Sequence, residues 1–187
     1  MININDQIQD MELTAFYEGE QTSIKLSDYR GKWLVLMFYP ADFTFVCPTE
    51  LEEAADLHAQ FLEAGAEILS VSTDTHYVHK AWHETSPAIG KINFPMVADP
   101  SGQLSRYFGV YVDQAGLALR GTFIIDPDGV LKSYEMNDFS LGRSGKETLR
   151  KVVAAKYIRE HKGEVCPASW VPGNDTISPS LDLVGKI

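Results

Sequence analysis

FYPADFTFVCPTE, residues 38–50, decides how the rest of the chain is read. It leaves an apolar run, meets Pro40, crosses a short aromatic loop and sets Cys47 directly before Pro48. Proline has no N–H to give to a sheet ladder, so Pro40 closes a strand. A proline at Pro48 suits the first helical position, where a missing N–H costs nothing. Cys47 is therefore expected at the cap or in the first turn of a helix. Pro48 disfavours helical dihedrals at Cys47 itself, which leaves the exact turn open. A thiol there faces free backbone N–H groups and the positive end of the helix dipole, and both favour an anion. Thr44, three positions earlier, would bring its hydroxyl near the sulfur in a helix-like turn and could donate to it or to a substrate oxygen. From cysteine usage alone an inert buried thiol is the default reading. The local setting is instead that of an activated nucleophile.

Outward from this stretch, strands and helices alternate. Residues 32–40 form a continuous apolar run, the mark of a strand buried on both faces. Residues 50–63 carry Leu51, Ala54, Ala55, His58, Phe61 and Leu62 at helical spacing, and Gly65 ends the helix. Residues 66–73 read as a second buried strand, 77–85 as a short helix, 94–99 as a third strand and 101–109 as a brief helix. Residues 121–126 and 130–136 flank the turn DPDG and predict a β-hairpin. The last helix is expected over 145–161, with Leu149, Val152, Val153 and Tyr157 inward. The pattern implies an α/β fold with a central mixed β-sheet flanked by helices. One domain is expected over 1–161, followed by an irregular, proline-containing tail over 162–187 with the second cysteine, Cys166.

Composition narrows the function. The chain has 187 residues and a formal net charge of −10, which argues against a nucleic-acid partner, since phosphate binding wants a basic stripe. No apolar stretch approaches the roughly 20 residues that span a bilayer, so no membrane partner is expected. The start, MININDQIQD, shows no secretory pattern, and the expectation is a cytoplasmic protein with reduced thiols. Its two cysteines are then either inert or a working pair.

The quoted stretch resembles the active-site motif of the typical two-cysteine peroxiredoxins, with Pro40, Thr44 and Cys47 in a P-x-x-x-T-x-x-C pattern. SVSTDTHYVHKAWH (70–83), GLALRGTFIIDPDG (116–129) and GEVCPASW (163–170) are similar to the same family in the same order. The ending SLDLVGKI is most similar to the bacterial alkyl hydroperoxide reductase branch, the small peroxidase subunit. The resemblance spans essentially the whole chain. It implies a thioredoxin-like fold and the reduction of hydrogen peroxide and organic hydroperoxides. Carried over by position, Cys47 matches the peroxidatic cysteine and Cys166 the resolving cysteine, which pairs with Cys47 of another subunit. Arg120 matches the arginine that supports the thiolate, Glu50 the acid that orients it, and Arg143 a more distant arginine. Pro40 shields the pocket and Thr44 meets the peroxide.

The resemblance also implies a homodimer assembling into a decamer. It implies recycling by a flavoprotein disulfide reductase or a thioredoxin-like reductant, and no cofactor. The ring contact is expected at the apolar residues 43–46 and 77–78. Easily inactivated relatives carry a Gly-Gly-Leu-Gly insertion and a C-terminal Tyr-Phe pair. This chain has DQAGLALRG at the first place and no Tyr-Phe in its tail.

Other features carry less. His76, His79 and His83 share one side of a short helix, but no third ligand completes a metal site, so a solvated or interface face is expected. GRSGK (142–146) lacks the glycine and hydroxyl of a phosphate loop, and DPDG lacks the rest of a calcium loop. No C-x-x-C exists for a thioredoxin-type reductase. The alternative from a different class is a redox-gated, chaperone-like assembly that uses the exposed apolar residues near Cys47.

Overall fold

The computed structural model describes residues 2–186; Met1, the first residue of the expected domain, and Ile187, the last of the expected tail, lie outside the described residues. The chain opens with a hairpin of β1 (Glu12–Tyr17) and β2 (Glu20–Lys25). Glu18 and Gly19 make its turn at φ 51° and 84°, and positive φ at both central residues matches the twist of the strands. Hydrophobic patterning does not announce this hairpin, because β2 is the sheet edge and lies mostly in solvent.

β3 (Trp33–Phe38) follows, then α1 (Cys47–Asp56) and α2 (His58–Glu63). The single helix expected over 50–63 is thus two. Leu57 caps both with ψ near −3°, and this bend leaves Leu57 and Phe61 both buried. β4 (Ala66–Ser72), α3 (His76–Thr85), β5 (Met96–Ala98) and α4 (Gln103–Tyr107) come next. A small pair, β6 (Tyr111–Val112) and β7 (Leu117–Ala118), precedes the hairpin of β8 (Arg120–Ile125) and β9 (Leu131–Asn137), and α5 (Gly145–Glu160) completes the domain. The strands expected over 94–99 and helix over 101–109 are each present but shorter.

The main sheet is mixed, in the order β2-β1-β5-β4-β3-β8-β9. β3, β4 and β5 are parallel, while β1 and β8 run against them. β3 is buried throughout, and its alternation divides the core. Trp33, Val35 and Met37 join the cluster that includes Leu51, Phe61, Trp82 and Val152. Leu34, Leu36 and Phe38 join the one with Leu104, Phe108, Phe123 and Leu131. Side chains on a strand alternate faces, so a strand covered on both sides must be apolar at every position. Each fully buried Leu, Val or Phe contributes roughly 1.5–3 kcal/mol. The arrangement is the thioredoxin-like α/β fold.

The register of the central strands places the site. Met37 of β3 pairs with Thr122 of β8 in an antiparallel ladder. The start of β8 therefore lies beside the carboxyl end of β3, and Arg120 comes level with the loop that leads to Cys47. Gly145 allows α5 to approach α1: a Cβ there would lie 3.2 Å from Leu57 Cδ1 and 3.3 Å from the Glu53 carboxyl group. Its N–H donates to Glu53 Oε2 at 2.8 Å.

The tail is irregular, as expected, but packed. Val165 and Ile177 exchange two backbone hydrogen bonds, closing a loop that contains Cys166 and Trp170. Trp170 is buried. Its ring lies 4.8 Å from that of Tyr157, and its carbonyl accepts from Arg150 Nη1 at 3.0 Å. Glu164 accepts hydrogen bonds from the Tyr157 and Thr176 hydroxyls. Among the described residues no helix is long and apolar enough to cross a membrane. Because a single aromatic anchor carries most of the tail's burial, Trp170→Ala is expected to free it. Limited proteolysis should then clip beyond residue 161 at least about tenfold faster, the scale of losing a large buried side chain, with the remaining domain intact.

Candidate active site

Cys47 is the first residue of α1 and Pro48 the second, one position later than the sequence alone places the proline. The thiol is fully buried, in contact with the cluster that holds Tyr39, Leu51 and Trp82. A buried cysteine at a helix start would be unremarkable without its polar neighbour. Arg120 Nη1 lies 3.4 Å from Cys47 Sγ and donates to it. The same nitrogen donates to Glu50 Oε2 at 2.7 Å, and Arg120 Nε donates to the Phe139 carbonyl at 2.8 Å.

Glu50, one turn into α1, is held in turn by Arg143. The Arg143 backbone N–H and Nε donate to Glu50 Oε1 at 2.8 and 2.9 Å, and Nη2 donates to Oε2 at 3.0 Å. Arg143 Nη1 is fixed by the Gly121 carbonyl at 2.8 Å and the Thr122 hydroxyl at 3.1 Å. Glu50, Arg120 and Arg143 are all buried. Burial alone would raise the Glu50 carboxyl, but the hydrogen bonds and charge of Arg143, joined by the charge of Arg120, hold it below its ordinary value of 4.5. Its contribution to stability is thus present above that pH and lost as pH falls through the lowered folded value. Two guanidinium groups and one carboxylate leave one positive charge unbalanced in a buried site. An anion at Cys47 Sγ, with Arg120 already aimed at it, balances that charge.

Pro40 is buried at the exit of β3. Thr44 is placed differently from expectation. Its hydroxyl donates to the Ala41 carbonyl at 2.8 Å, which closes the turn ahead of Cys47, so its proton is committed to the backbone. The expectation of a solvated or interface histidine face also fails at its centre. His79 is fully buried, with Nδ1 2.7 Å from Asp42 Oδ2 and Nε2 3.1 Å from the Val97 carbonyl, and His83 Nε2 reaches the Ile92 carbonyl. No cluster able to hold a metal ion exists among the described residues. Asp42 is the residue that sequence reasoning misses here, and His79 the one it places on the wrong face. The only signal is an acid in an otherwise apolar loop. GRSGK ends as Arg143 on Glu50 and Ser144 capping α5 through the Glu147 N–H.

Cys166 lies in the packed tail, half-buried, its Sγ 3.9 Å from the Ala154 carbonyl; no disulfide joins it to Cys47 within the chain. Its thiol does not titrate as an unperturbed cysteine. Burial pushes it up, opposed by the Arg150 charge and reinforced by Glu164.

The chain is similar to known proteins along most of its length. Residues 4–134 match the sequence model of the AhpC/TSA family, and residues 154–186 match that of the C-terminal domain of 1-Cys peroxiredoxin. The chain is 52% identical over 184 residues to alkyl hydroperoxide reductase C of Pseudomonas aeruginosa, covering 98% of both chains. It is 51% identical over 184 residues to that of Bacillus subtilis, again with 98% of both covered. The crystal structure of Enterococcus faecalis AhpC superposes with a TM-score of 0.86 at 48% identity, over 89% of this chain and 100% of that one. Reduced 2-Cys peroxiredoxin of Plasmodium vivax gives 0.90 at 32% identity, over 96% and 94%. With a buried thiol held by an arginine at the carboxyl end of the central strand, the chain belongs to the AhpC/TSA family, the thiol-dependent peroxidases of thioredoxin-like fold known as peroxiredoxins.

Proposed function

We propose that this chain reduces hydrogen peroxide and organic hydroperoxides with Cys47 as the peroxidatic and Cys166 as the resolving cysteine. The observation that carries the reading is the Arg120 guanidinium at 3.4 Å from the buried Cys47 sulfur, itself fixed by Glu50. The Cys47 thiolate attacks one peroxide oxygen. An S–O bond forms, the O–O bond breaks, and the departing alkoxide or hydroxide takes a proton. Arg120 stabilises charge on that leaving oxygen as well as on the thiolate. Pro40 excludes water, Thr44 positions the peroxide once its hydroxyl turns from Ala41, and Arg143 acts through Glu50. Cys47 becomes a sulfenic acid.

Resolution follows when the Cys166 thiol of a second subunit attacks that sulfenic sulfur, forming S–S and releasing water. Cys47 is fully buried at the first position of α1, so the turn must open before another thiol can reach it. A two-electron dithiol donor, a flavoprotein disulfide reductase or a thioredoxin-like protein, restores both thiols. The 162–187 tail serves as the carrier of Cys166 beside the 1–161 domain, in a homodimer that assembles into a decamer in the cytoplasm. Phe45 at 92%, Tyr77 at 71% and Phe43 at 56% exposure support an assembly that covers them. They also give substance to a second reading, a redox-gated chaperone-like assembly.

Coupled peroxide consumption separates the two. Cys47→Ser is expected to abolish turnover, and Cys166→Ser to stop after one equivalent of peroxide per subunit. Client protection without any peroxide turnover in the wild type would decide for the chaperone. Arg120→Met should lower kcat/KM for peroxide about 10²–10³-fold, the range for one preorganised donor. Arg120→Lys should restore little of it, because a single nitrogen cannot stand both where Nη1 meets sulfur and carboxylate and where Nε meets the Phe139 carbonyl. Glu50→Gln removes the carboxylate shared by two buried guanidiniums and should cost about 3–5 kcal/mol of stability, read from denaturant unfolding.

The resolving step carries a pH signature. Cys166 sits above its ordinary value of 9.0, so its thiolate fraction rises with pH across the neutral range. In Cys47→Ser, alkylation of Cys166 should show its midpoint above that value, and a midpoint below it would contradict the assignment. Overoxidation should be slight. DQAGLALRG stands where easily inactivated relatives carry Gly-Gly-Leu-Gly, and residues 167–187 hold no Tyr-Phe pair, so the disulfide is expected to outrun a second peroxide. Mass spectrometry at rising peroxide should find little Cys47 sulfinic acid while reductant lasts.

A further inference from the structure

A buried ionisable pair lies just upstream of the nucleophile and has no part in the chemistry above. The side chains of Asp42 and His79 are wholly inaccessible to solvent. His79 Nε2 faces the Val97 carbonyl at 3.1 Å, and Nδ1 lies 2.7 Å from Asp42 Oδ2. A carbonyl only accepts, so the network assigns a hydrogen to Nε2, and one further proton lies between Nδ1 and Oδ2. The other Asp42 oxygen accepts from the Tyr39 hydroxyl at 2.7 Å. The Asp42 N–H donates to Asp74 Oδ2 at 2.8 Å, which the Ser72 hydroxyl also reaches at 2.8 Å. One residue of the loop is thereby tied to the ends of β3 and β4, to β5 and to α3.

The next residue explains why so many ties converge. Phe43 has φ 55°, a left-handed conformation disfavoured for any residue with a Cβ. Such strain persists only where the surroundings over-determine it. The Phe43 ring, 5.9 Å from that of Trp82, is half in solvent and cannot hold the turn by itself. Asp42 can, since its main-chain N–H and both carboxylate oxygens are engaged. The following residue is Thr44, and its bond back to Ala41 spans the same turn.

We propose that the Asp42–His79 pair is a positioning element for the peroxidase reaction: it pins the strained turn at Phe43 and so keeps Thr44 and the first turn of α1 closed, with Cys47 against Arg120. The proposal rests on the peroxidase reading for its consequence, and on geometry alone for the anchor.

The test compares full-length variants well below their melting temperatures. His79→Leu removes both donors at similar volume. Asp42→Asn keeps the shape, can donate to a neutral His79 and still accepts from Tyr39. In His79→Leu, alkylation of Cys47, followed at its own peptide by mass spectrometry, should accelerate at least about tenfold, the scale of losing buried hydrogen bonds. The rate constant of Cys47 with peroxide should fall by a similar factor, and amide exchange should rise over residues 41–47 but not in α5. Asp42→Asn should stay within about threefold of wild type on each measure. A merely structural pair would lower Tm and leave alkylation, peroxide rate and local exchange unchanged, and that result overturns the proposal. Equal acceleration in Asp42→Asn overturns the hydrogen-bond assignment. If His79→Leu does not fold, His79→Gln, which keeps one donor, should alkylate at an intermediate rate, and a wild-type rate there rejects the anchor. If the wild type consumes no peroxide, the peroxidase reading fails while alkylation and exchange still decide on the anchor.

Discussion

Glu50 joins two guanidinium groups in a space from which water is excluded, and the rest of the site depends on that junction. Buried charge is tolerated only when paired and hydrogen-bonded. Here one carboxylate accepts from Arg120 and from three nitrogens of Arg143. Arg143 comes from the loop before α5 and Arg120 from the first position of β8, while Glu50 stands on α1. The junction therefore fastens helix, sheet and loop together beside the buried thiol. It also aims the Arg120 guanidinium at sulfur, since the Nη1 that donates to Glu50 donates to Cys47 Sγ as well.

The same arrangement explains why the nucleophile sits deep in the core. A helix start at the carboxyl end of a parallel strand offers free N–H groups and a concave position outside the sheet. Burial there removes competing water and strengthens the contact with Arg120. It also hides the thiol from any partner thiol. In the proposed cycle, reaction and resolution therefore need different conformations of one short segment, residues 39–47, and its anchoring matters as much as its chemistry. The packed tail makes the complementary demand on Cys166. Arg150, which carries the Trp170 carbonyl, is also the charge that opposes the rise of the Cys166 thiol.

Much of this was legible beforehand because local rules and the fold point the same way. Pro40 and Pro48 bracket a strand exit and a helix start whatever the rest of the chain does. The all-apolar β3, short and closed by Pro40, reads as a strand covered on both faces. The turn at DPDG follows from its own chemistry: Asp126 accepts from the N–H groups of Asp128 and Val130 in the structure. Where patterning was silent, tertiary context had taken over. β2 carries no hydrophobic signal because it is an edge, and Leu57 divides a helix whose apolar spacing runs on across the break.

What the sequence by itself determined is a set of candidate site residues. Cys47, Thr44, Pro40, Glu50, Arg120, Arg143 and Cys166 stand at positions that a motif and its flanking strands can index, because each motif is contiguous in the chain. Only the tertiary structure decided that Glu50, Arg120 and Arg143 join beside Cys47, while Cys166 lies in the tail against the Ala154 carbonyl. That Arg143 grips Glu50 with backbone and side chain, that Thr44 spends its proton on Ala41, and that His79 is a buried partner of Asp42 all depend on contacts between elements far apart in sequence. A histidine on an amphipathic helix looks alike whether its face meets water or a carboxylate. The choice is made by what the sheet brings up against it.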